Sequence, residues 1–231
     1  MIARNLSILL LSLGMVYLSG CIGDDFVLDT VDPTIRIMES IDTLAVNDTY
    51  QFSYTYLNNV GAEDNSVTGT WLSSNPEVIS IDQSGLATAH LIGRSLITVM
   101  ATNTDGVIVT DSIELVVGEN TVASNEERTG TIQTTSSYTL EGDFSMREEN
   151  GLLILSVKEN YRASSSLPGL YIYLTNNPNT TSGALEISKV GIFSGAHEYQ
   201  IPGNISLNEY SHVLYFCKPF NVKVGDGEFD N

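Results

Sequence analysis

Short strand-like runs, repeated through most of the chain, restrict this sequence to an all-β fold. Runs rich in Val, Ile, Thr, Tyr and Leu recur between clusters of Gly, Asn, Asp and Pro, as in TYQFSYTY (49–56) and SLITVMAT (95–102). These residue types favour strands and turns respectively. Alternation in TYQFSYTY places Tyr50, Phe52, Tyr54 and Tyr56 on one face of one predicted strand. Few windows show a helical period, so we expect β domains throughout.

The first twenty residues predict export. MIARNLSILLLSLGMVYLSG has a basic residue, Arg4, followed by an apolar run that is too short to span a bilayer comfortably. Residues 1–20 are therefore predicted to be a cleaved signal peptide. The residues Leu18-Ser19-Gly20-Cys21 resemble the lipobox of bacterial lipoproteins. The resemblance implies attachment of lipid, including palmitate, at Cys21; the alternative is an ordinary signal peptide with an accidental cysteine.

An acidic segment follows Cys21. Residues 21–32 contain four aspartates and no basic residue, which predicts a solvated, self-repelling tether. An acidic cluster after the lipidated cysteine also resembles the export signal of Bacteroidetes-type surface lipoproteins. The resemblance implies an outer-membrane lipoprotein of the cell envelope, exposed at the cell surface, whose membrane partner is reached through the lipid anchor.

Charge excludes one class of partner. The formal net charge is −18, and loss of Arg4 with the signal peptide makes it −19. Such a surface repels phosphate groups, so we expect no nucleic-acid binding. The mature length of 211 residues (231 minus 20) suits two domains. The polar segment GENTVASNEERTG breaks the strand rhythm, so we predict a first domain at 33–118, a linker at 119–128 and a second domain at 129–231.

The first predicted domain carries a dense motif. TWLSSNPEVISIDQSGLATAHLIGRSLITVMA (70–101) has an apolar anchor at Trp71, an Asn75-Pro76 turn and a tight reversal at Gly85. It resembles the group-two bacterial Ig-like domain, which implies a small Ig-like β-sandwich without catalytic residues. The positions in register are Trp71, Ser73, Ser74, Asn75, Pro76, Val78, Ile81, Asp82, Gly85, Leu86, Thr88 and Ala89, followed by Gly93, Ile97, Thr98 and Ala101. We predict that Trp71 is a core residue.

The second predicted domain continues the β pattern, with about nine strands suited to a sandwich or a closed barrel. GLYIYLTNNP, KVGIFSGAHEYQIP and YSHVLYFCKPFNVKVG occur in that order. They resemble the electron-transfer DM-thirteen domain, although Gly169 replaces that family's acidic residue and Phe216 its tryptophan. The resemblance implies a β-sandwich related to haem- or sugar-binding domains and a redox role for Cys217.

Cys217 has no partner for a disulfide if Cys21 carries lipid. A redox role needs an electropositive, partly accessible thiol, whereas a packing role needs only burial in alternation with Val213 and Tyr215. Lys218 should point to the opposite face, while Lys223, Arg162, His197 and His212 are the side chains that could approach. No zinc, copper or hydrolase spacing is present in the sequence, so no metal site and no catalytic residue other than the redox candidate Cys217 is predicted.

These observations favour a non-enzymatic surface lipoprotein. We expect a binding, adhesion or scaffold role with an extracellular protein or glycan partner, in which the Ig-like module acts as a spacer. The alternative is a membrane-anchored, extracytoplasmic electron-transfer protein acting through Cys217. No cofactor is assigned; haem is the candidate if that alternative holds.

Overall fold

The computed structural model describes residues 29–124, 126–203 and 205–230. Cys21, the predicted signal peptide and most of the predicted tether therefore lie outside the described residues. Within these ranges the regular structure is β-strand apart from one 3₁₀ turn, which confirms the all-β prediction. No helix in them is long and apolar enough to cross a membrane.

The first domain consists of ten strands in three sheets. A five-stranded sheet has the order β10-β2-β9-β8-β5, a three-stranded sheet the order β3-β7-β6, and β1 pairs with β4. The strands are β1 (Thr34–Ile37), β2 (Ile41–Ala45), β3 (Thr49–Gln51), β4 (Tyr54–Leu57), β5 (Gly69–Ser73), β6 (Ile79–Ile81), β7 (Leu86–Ala89), β8 (Gly93–Thr102), β9 (Ile108–Gly118) and β10 (Val122–Ala123).

Trp71 lies at the centre of the first domain, as predicted. Its side chain is 2% exposed, and its ring centroid lies 6.2 Å from that of Phe52 and 5.9 Å from that of Tyr54. Gly85 follows the Asp82 turn with φ +85, a left-handed conformation that favours glycine. The motif thus supplies one large core residue and the turns that bring strands around it.

One strand prediction for this domain was wrong. TYQFSYTY is not one strand: β3 ends at Gln51 and β4 begins at Tyr54, and they pair in different sheets. The break occurs because the amide of Phe52 donates to the Gly85 carbonyl and that of Ser53 donates to the Glu39 carboxylate. The four aromatic residues still share one core because the chain crosses between the sheets at this point.

The second domain consists of one nine-stranded antiparallel sheet that curves until it nearly closes. Its order is β16-β15-β18-β19-β11-β12-β13-β17, with β14 beside β12, and the terminal strands β16 and β17 approach each other. The strands are β11 (Glu127–Thr134), β12 (Leu140–Glu149), β13 (Leu152–Val157), β14 (Arg162–Ala163), β15 (Leu170–Thr175), β16 (Leu185–Lys189), β17 (His197–Gln200), β18 (His212–Cys217) and β19 (Val222–Glu228).

Two glycines allow this sheet to curve tightly. A Cβ atom at Gly130 would overlap the Glu228 carbonyl, and one at Gly225 would overlap the Gln133 carbonyl. The strands β11 and β19 therefore cross more closely than residues with side chains would permit. The interior that they enclose is apolar and continuous, from Ile132 on β11 to Val213 on β18.

The segment that connects the two domains lies along the surface of the first domain. After Gly118 the chain reverses, and β10 runs back along β2, pairing Val122 with Thr43 and Ala123 with Ile41. Residue 127 already begins β11. Among the described residues no strand of the first group pairs with a strand of the second, so contact between the domains is made by loops and side chains.

Candidate functional site

Cys217 ends β18 and faces the interior of the second domain. It is 1% exposed, and Val213 and Tyr215 on the same strand belong to the same buried cluster. It forms no disulfide within the described part of the chain. The 3₁₀ turn Lys218–Phe220 follows it at once. The thiol therefore occupies the position of a small packed side chain.

The cationic side chains considered for Cys217 are engaged elsewhere. Lys218 points outward, as predicted, where it pairs with Glu186 and lies 4.4 Å from the ring centroid of Tyr171. Lys223 pairs with Asp226 at 3.0 Å. Arg162 donates to the carbonyls of Glu159 and Tyr161. These cations thus bind other groups, and Cys217 packs within a hydrophobic cluster.

His212 lies at the opposite end of β18 from Cys217, five residues away. At about 3.4 Å per residue, the strand separates their Cα atoms by roughly 17 Å. The Nδ1 atom of His212 lies 2.8 Å from the Ser211 hydroxyl. Burial lowers the pKa of His212, and the nearby Glu228 and Asp226 partly oppose that shift.

Aromatic side chains surround His197 in the second domain. Its ring centroid lies 5.1 Å from both Tyr161 and Tyr199, and Tyr161 lies 6.0 Å from Tyr215. Burial raises the pKa of Tyr199 to about 12 and raises those of Tyr161 and Tyr215 as well. At neutral pH the three tyrosines are therefore uncharged, and His197 contacts the rings of Tyr161 and Tyr199.

No metal centre is evident in the described ranges. They contain no group of three or more His, Cys, Asp or Glu side chains placed to hold an ion. His90, the remaining histidine, lies in the first domain with Nε2 2.8 Å from the Ser80 hydroxyl. The three histidines are thus distributed over separate places in the fold.

The most extensive polar arrangement lies between the domains and centres on Arg36 of β1. Its Nη1 donates to Oδ1 of Asn176 at 3.1 Å and to the carbonyls of Asn208 and Glu209 at 3.0 Å each. Burial, reinforced by the charge of Arg128, lowers the pKa of Arg36 to about 10. The first domain thus places a partly desolvated cation against a loop of the second.

Arg128 of β11 holds the same loop from the second domain. Its Nη1 donates to the carbonyls of Leu207 at 3.1 Å and Tyr210 at 2.8 Å, and its guanidinium carbon lies 4.5 Å from the ring centroid of Phe229. Burial also lowers the pKa of Arg128. We call residues 206–210 the junction loop, because one arginine from each domain fixes its carbonyls.

A second contact is formed by the polar segment LTNNPNTTSG (174–183). Asn177 is 2% exposed and donates its amide to the carbonyls of Asp29 at 2.6 Å and Val60 at 3.2 Å. Gly61 has φ +73, and a Cβ there would lie 2.8 Å from the Asn176 carbonyl oxygen. The two backbones therefore meet at van der Waals distance.

Clefts of about 820 Å³ and about 670 Å³ lie beside these contacts. Residues of both domains line each of them, including Met38, Leu57 and Tyr210 in the larger and Asp111, Arg36 and Arg128 in the smaller. No functional site was predicted here, although His212, which was considered as a neighbour of Cys217, lines the smaller cleft. The unusual density of asparagine in 176–179 was the available signal, because buried amides can satisfy backbone groups that another domain covers.

A family match identifies the first domain. Residues 33–110 match the family described as "Bacterial Ig-like domain (group 2)", which confirms the resemblance found in the Trp71 motif. The chain therefore contains a bacterial Ig-like domain of group 2 within its first half.

A solved structure also matches, more weakly. The crystal structure of an EHEC O157:H7 intimin mutant is 15% identical over 48% of this chain and 53% of that chain, with a TM-score of 0.24. This chain thus spans about half the length of that structure. No curated protein matches.

Proposed function

We propose that this protein is a non-enzymatic lipoprotein of the bacterial cell surface. In this proposal the Ig-like domain carries a second β domain that binds an extracellular protein or glycan, and acyl chains on Cys21 anchor the protein to the outer membrane. The Ig-like domain at 33–110 is the observation that carries the proposal, and the Leu18–Cys21 sequence supports the anchor.

Lipid attachment is tested by expressing the chain with its leader in a bacterial host. Labelled palmitate should enter the wild-type protein and should be absent from a Cys21→Ala variant. The wild-type protein should fractionate with the outer membrane and should be degraded when intact cells are treated with protease. A protein that stays soluble and unlabelled would contradict the anchor.

The non-enzymatic part of the proposal is tested on the thiol. The purified protein should be colourless, and Cys217 should react with an alkylating reagent only after addition of denaturant, because its side chain is 1% exposed. A haem absorption band, or rapid alkylation of the native protein, would instead favour electron transfer through Cys217.

The binding partner is tested on a glycan array and on immobilised extracellular proteins. Binding should persist after Cys217→Ala, since the proposed role does not use the thiol. Loss of binding with an unchanged circular dichroism spectrum would place the thiol in the binding surface and would refute a purely packing role.

A further inference from the structure

We propose that the junction between the domains is the side of the molecule that faces the lipid surface. This inference rests on the proposed anchor at Cys21. In this arrangement the Ig-like domain lies beside the second domain. It does not stand between the second domain and the membrane. The path of the chain into and out of the first domain supports this arrangement.

The chain enters at the junction. The carbonyl of Asp29 accepts from Asn177 of the second domain at 2.6 Å, and that of Thr30 accepts from Asn179 at 3.4 Å. Val31 then donates to the Asn59 carbonyl at 2.9 Å. Residues 29–31 were predicted as part of a solvated tether, but here they belong to the folded body and contact both domains.

The chain also leaves the Ig-like domain toward the junction. The strand β9 ends at Gly118, on the far side of the domain, where it pairs with Ala45. The strand β10 returns along β2 toward Ile41. Glu126 and Arg128 then line the cleft that also contains Arg36. Entry and exit therefore lie on one side, which an in-line spacer would not require.

The maximum length of the segment between Cys21 and Asp29 limits the distance between the junction and the lipid. Eight residue steps separate Cys21 from Asp29 (29 minus 21). An extended chain covers at most about 3.6 Å per residue, so these steps span no more than roughly 29 Å. The second domain begins to contact the chain at the end of that reach, without the length of an Ig-like domain in between.

In each domain, the end opposite the junction lies away from the side that we propose faces the lipid. Leu91 is 57% exposed near Val78, and Gly93, two residues later, pairs with Val117. Asp111 lines the smaller cleft at the junction. The six residue steps along β9 from Asp111 to Val117 cover about 20 Å. In the second domain β18 leads over a similar length from the junction to Phe220, which is 65% exposed.

Energy transfer to labelled lipids tests this arrangement. Lipidated full-length protein carrying Val60→Cys, Leu91→Cys or Phe220→Cys is labelled with a donor dye and reconstituted into phosphatidylethanolamine–phosphatidylglycerol vesicles containing acceptor lipids. The protein without an added cysteine is the control, because buried Cys217 should take up little dye. Transfer should be strongest from position 60, at the junction, and severalfold weaker from positions 91 and 220.

The outcomes separate this inference from the proposed anchor. Stronger transfer from position 91 than from position 60 would overturn the inference while leaving the anchor in place. Equal transfer from all three positions would also overturn it, since the molecule would then have no preferred side. Failure of the wild-type protein to float with vesicles would overturn the anchor and, with it, the inference.

Discussion

Replacement of Arg36 by Ala is expected to uncouple the two domains. Interfaces between domains of one chain allow relative motion unless strong contacts prevent it. Here the Arg36 guanidinium spans the junction and binds one side-chain oxygen and two carbonyls of the second domain. Arg36→Ala removes all three contacts and should leave the strands of each domain intact.

The expected loss of coupling free energy follows from the number of protons on the Nη1 atom of Arg36. The Nη1 group has two protons shared among three acceptors, so it contributes two full hydrogen bonds. A hydrogen bond to a charged group is worth about 1.5–3 kcal/mol. The lowered pKa shows that burial disfavours the charged form, which offsets part of this gain. We therefore expect a loss of about 3 kcal/mol of coupling, or roughly a hundredfold in the docking equilibrium.

Urea unfolding with two probes measures the coupling. Trp71 is the single tryptophan and reports the first domain by fluorescence, while hydrogen exchange in β15 and β18 reports the second. The two transitions should coincide in the wild type and separate in Arg36→Ala. Arg94→Ala is the matched control: Arg94 lies in the same domain but forms an exposed pair with Glu114, a kind of contact worth at most about 1 kcal/mol.

Two results would refute this reasoning. Coincident transitions in Arg36→Ala, with midpoints equal to those of Arg94→Ala, would show that the arginine does not couple the domains. Separate transitions in the wild type would show that the junction does not hold the domains together in solution.

Three further predictions concern single positions. Gly61→Ala should destabilise the protein by about 1–3 kcal/mol more in thermal unfolding than Gly183→Ala, because both have φ +73 but only Gly61 faces a backbone within 4 Å. The free energy of unfolding should fall as the pH drops below about 6.5, since burial lowers the pKa of His212 and the unfolded state then binds the proton more readily; His212→Asn should flatten this dependence in urea titrations. Gln83→Ala should cause concentration-dependent self-association in light scattering, because the Gln83 amide pairs with both the N–H and the C=O of Trp71 on the edge strand β5; an unchanged monomer would contradict that role.

Local sequence patterns predicted those parts of the fold that depend on local chemistry. The turn at Gly85 and the burial of Trp71 follow from residue types within one motif, and the structure has both. The alternation of Val213, Tyr215 and Cys217 likewise follows from the two-residue period of a strand. In TYQFSYTY the same period misled, because contacts from Glu39 and Gly85, distant in sequence, break the strand at Phe52.

The junction could not be predicted in this way. Arg36 and Asn208 are separated by 172 positions in sequence, and no periodic pattern connects them. LTNNPNTTSG reads as an exposed polar loop because its composition is that of a loop. Only the fold shows that Asn177 is 2% exposed beneath the first domain. The presence of a polar residue predicts that it forms hydrogen bonds, but it does not predict whether water or protein provides the partners.

The chemistry of the junction also explains how a strongly acidic chain can dock two domains. Because carboxylates are abundant, an arginine that paired with them could do so in many relative positions of the two domains. Arg36 instead binds three partners across the junction, two of which are backbone carbonyls of the junction loop. Arg128 holds the same loop from within the second domain through two further carbonyls. The position of a carbonyl is fixed by the path of its loop, so the loop that Arg128 holds presents its acceptors to Arg36 in one place. Arg36 thereby favours one docking geometry, and the low intrinsic gain of burying its charge is compatible with that role.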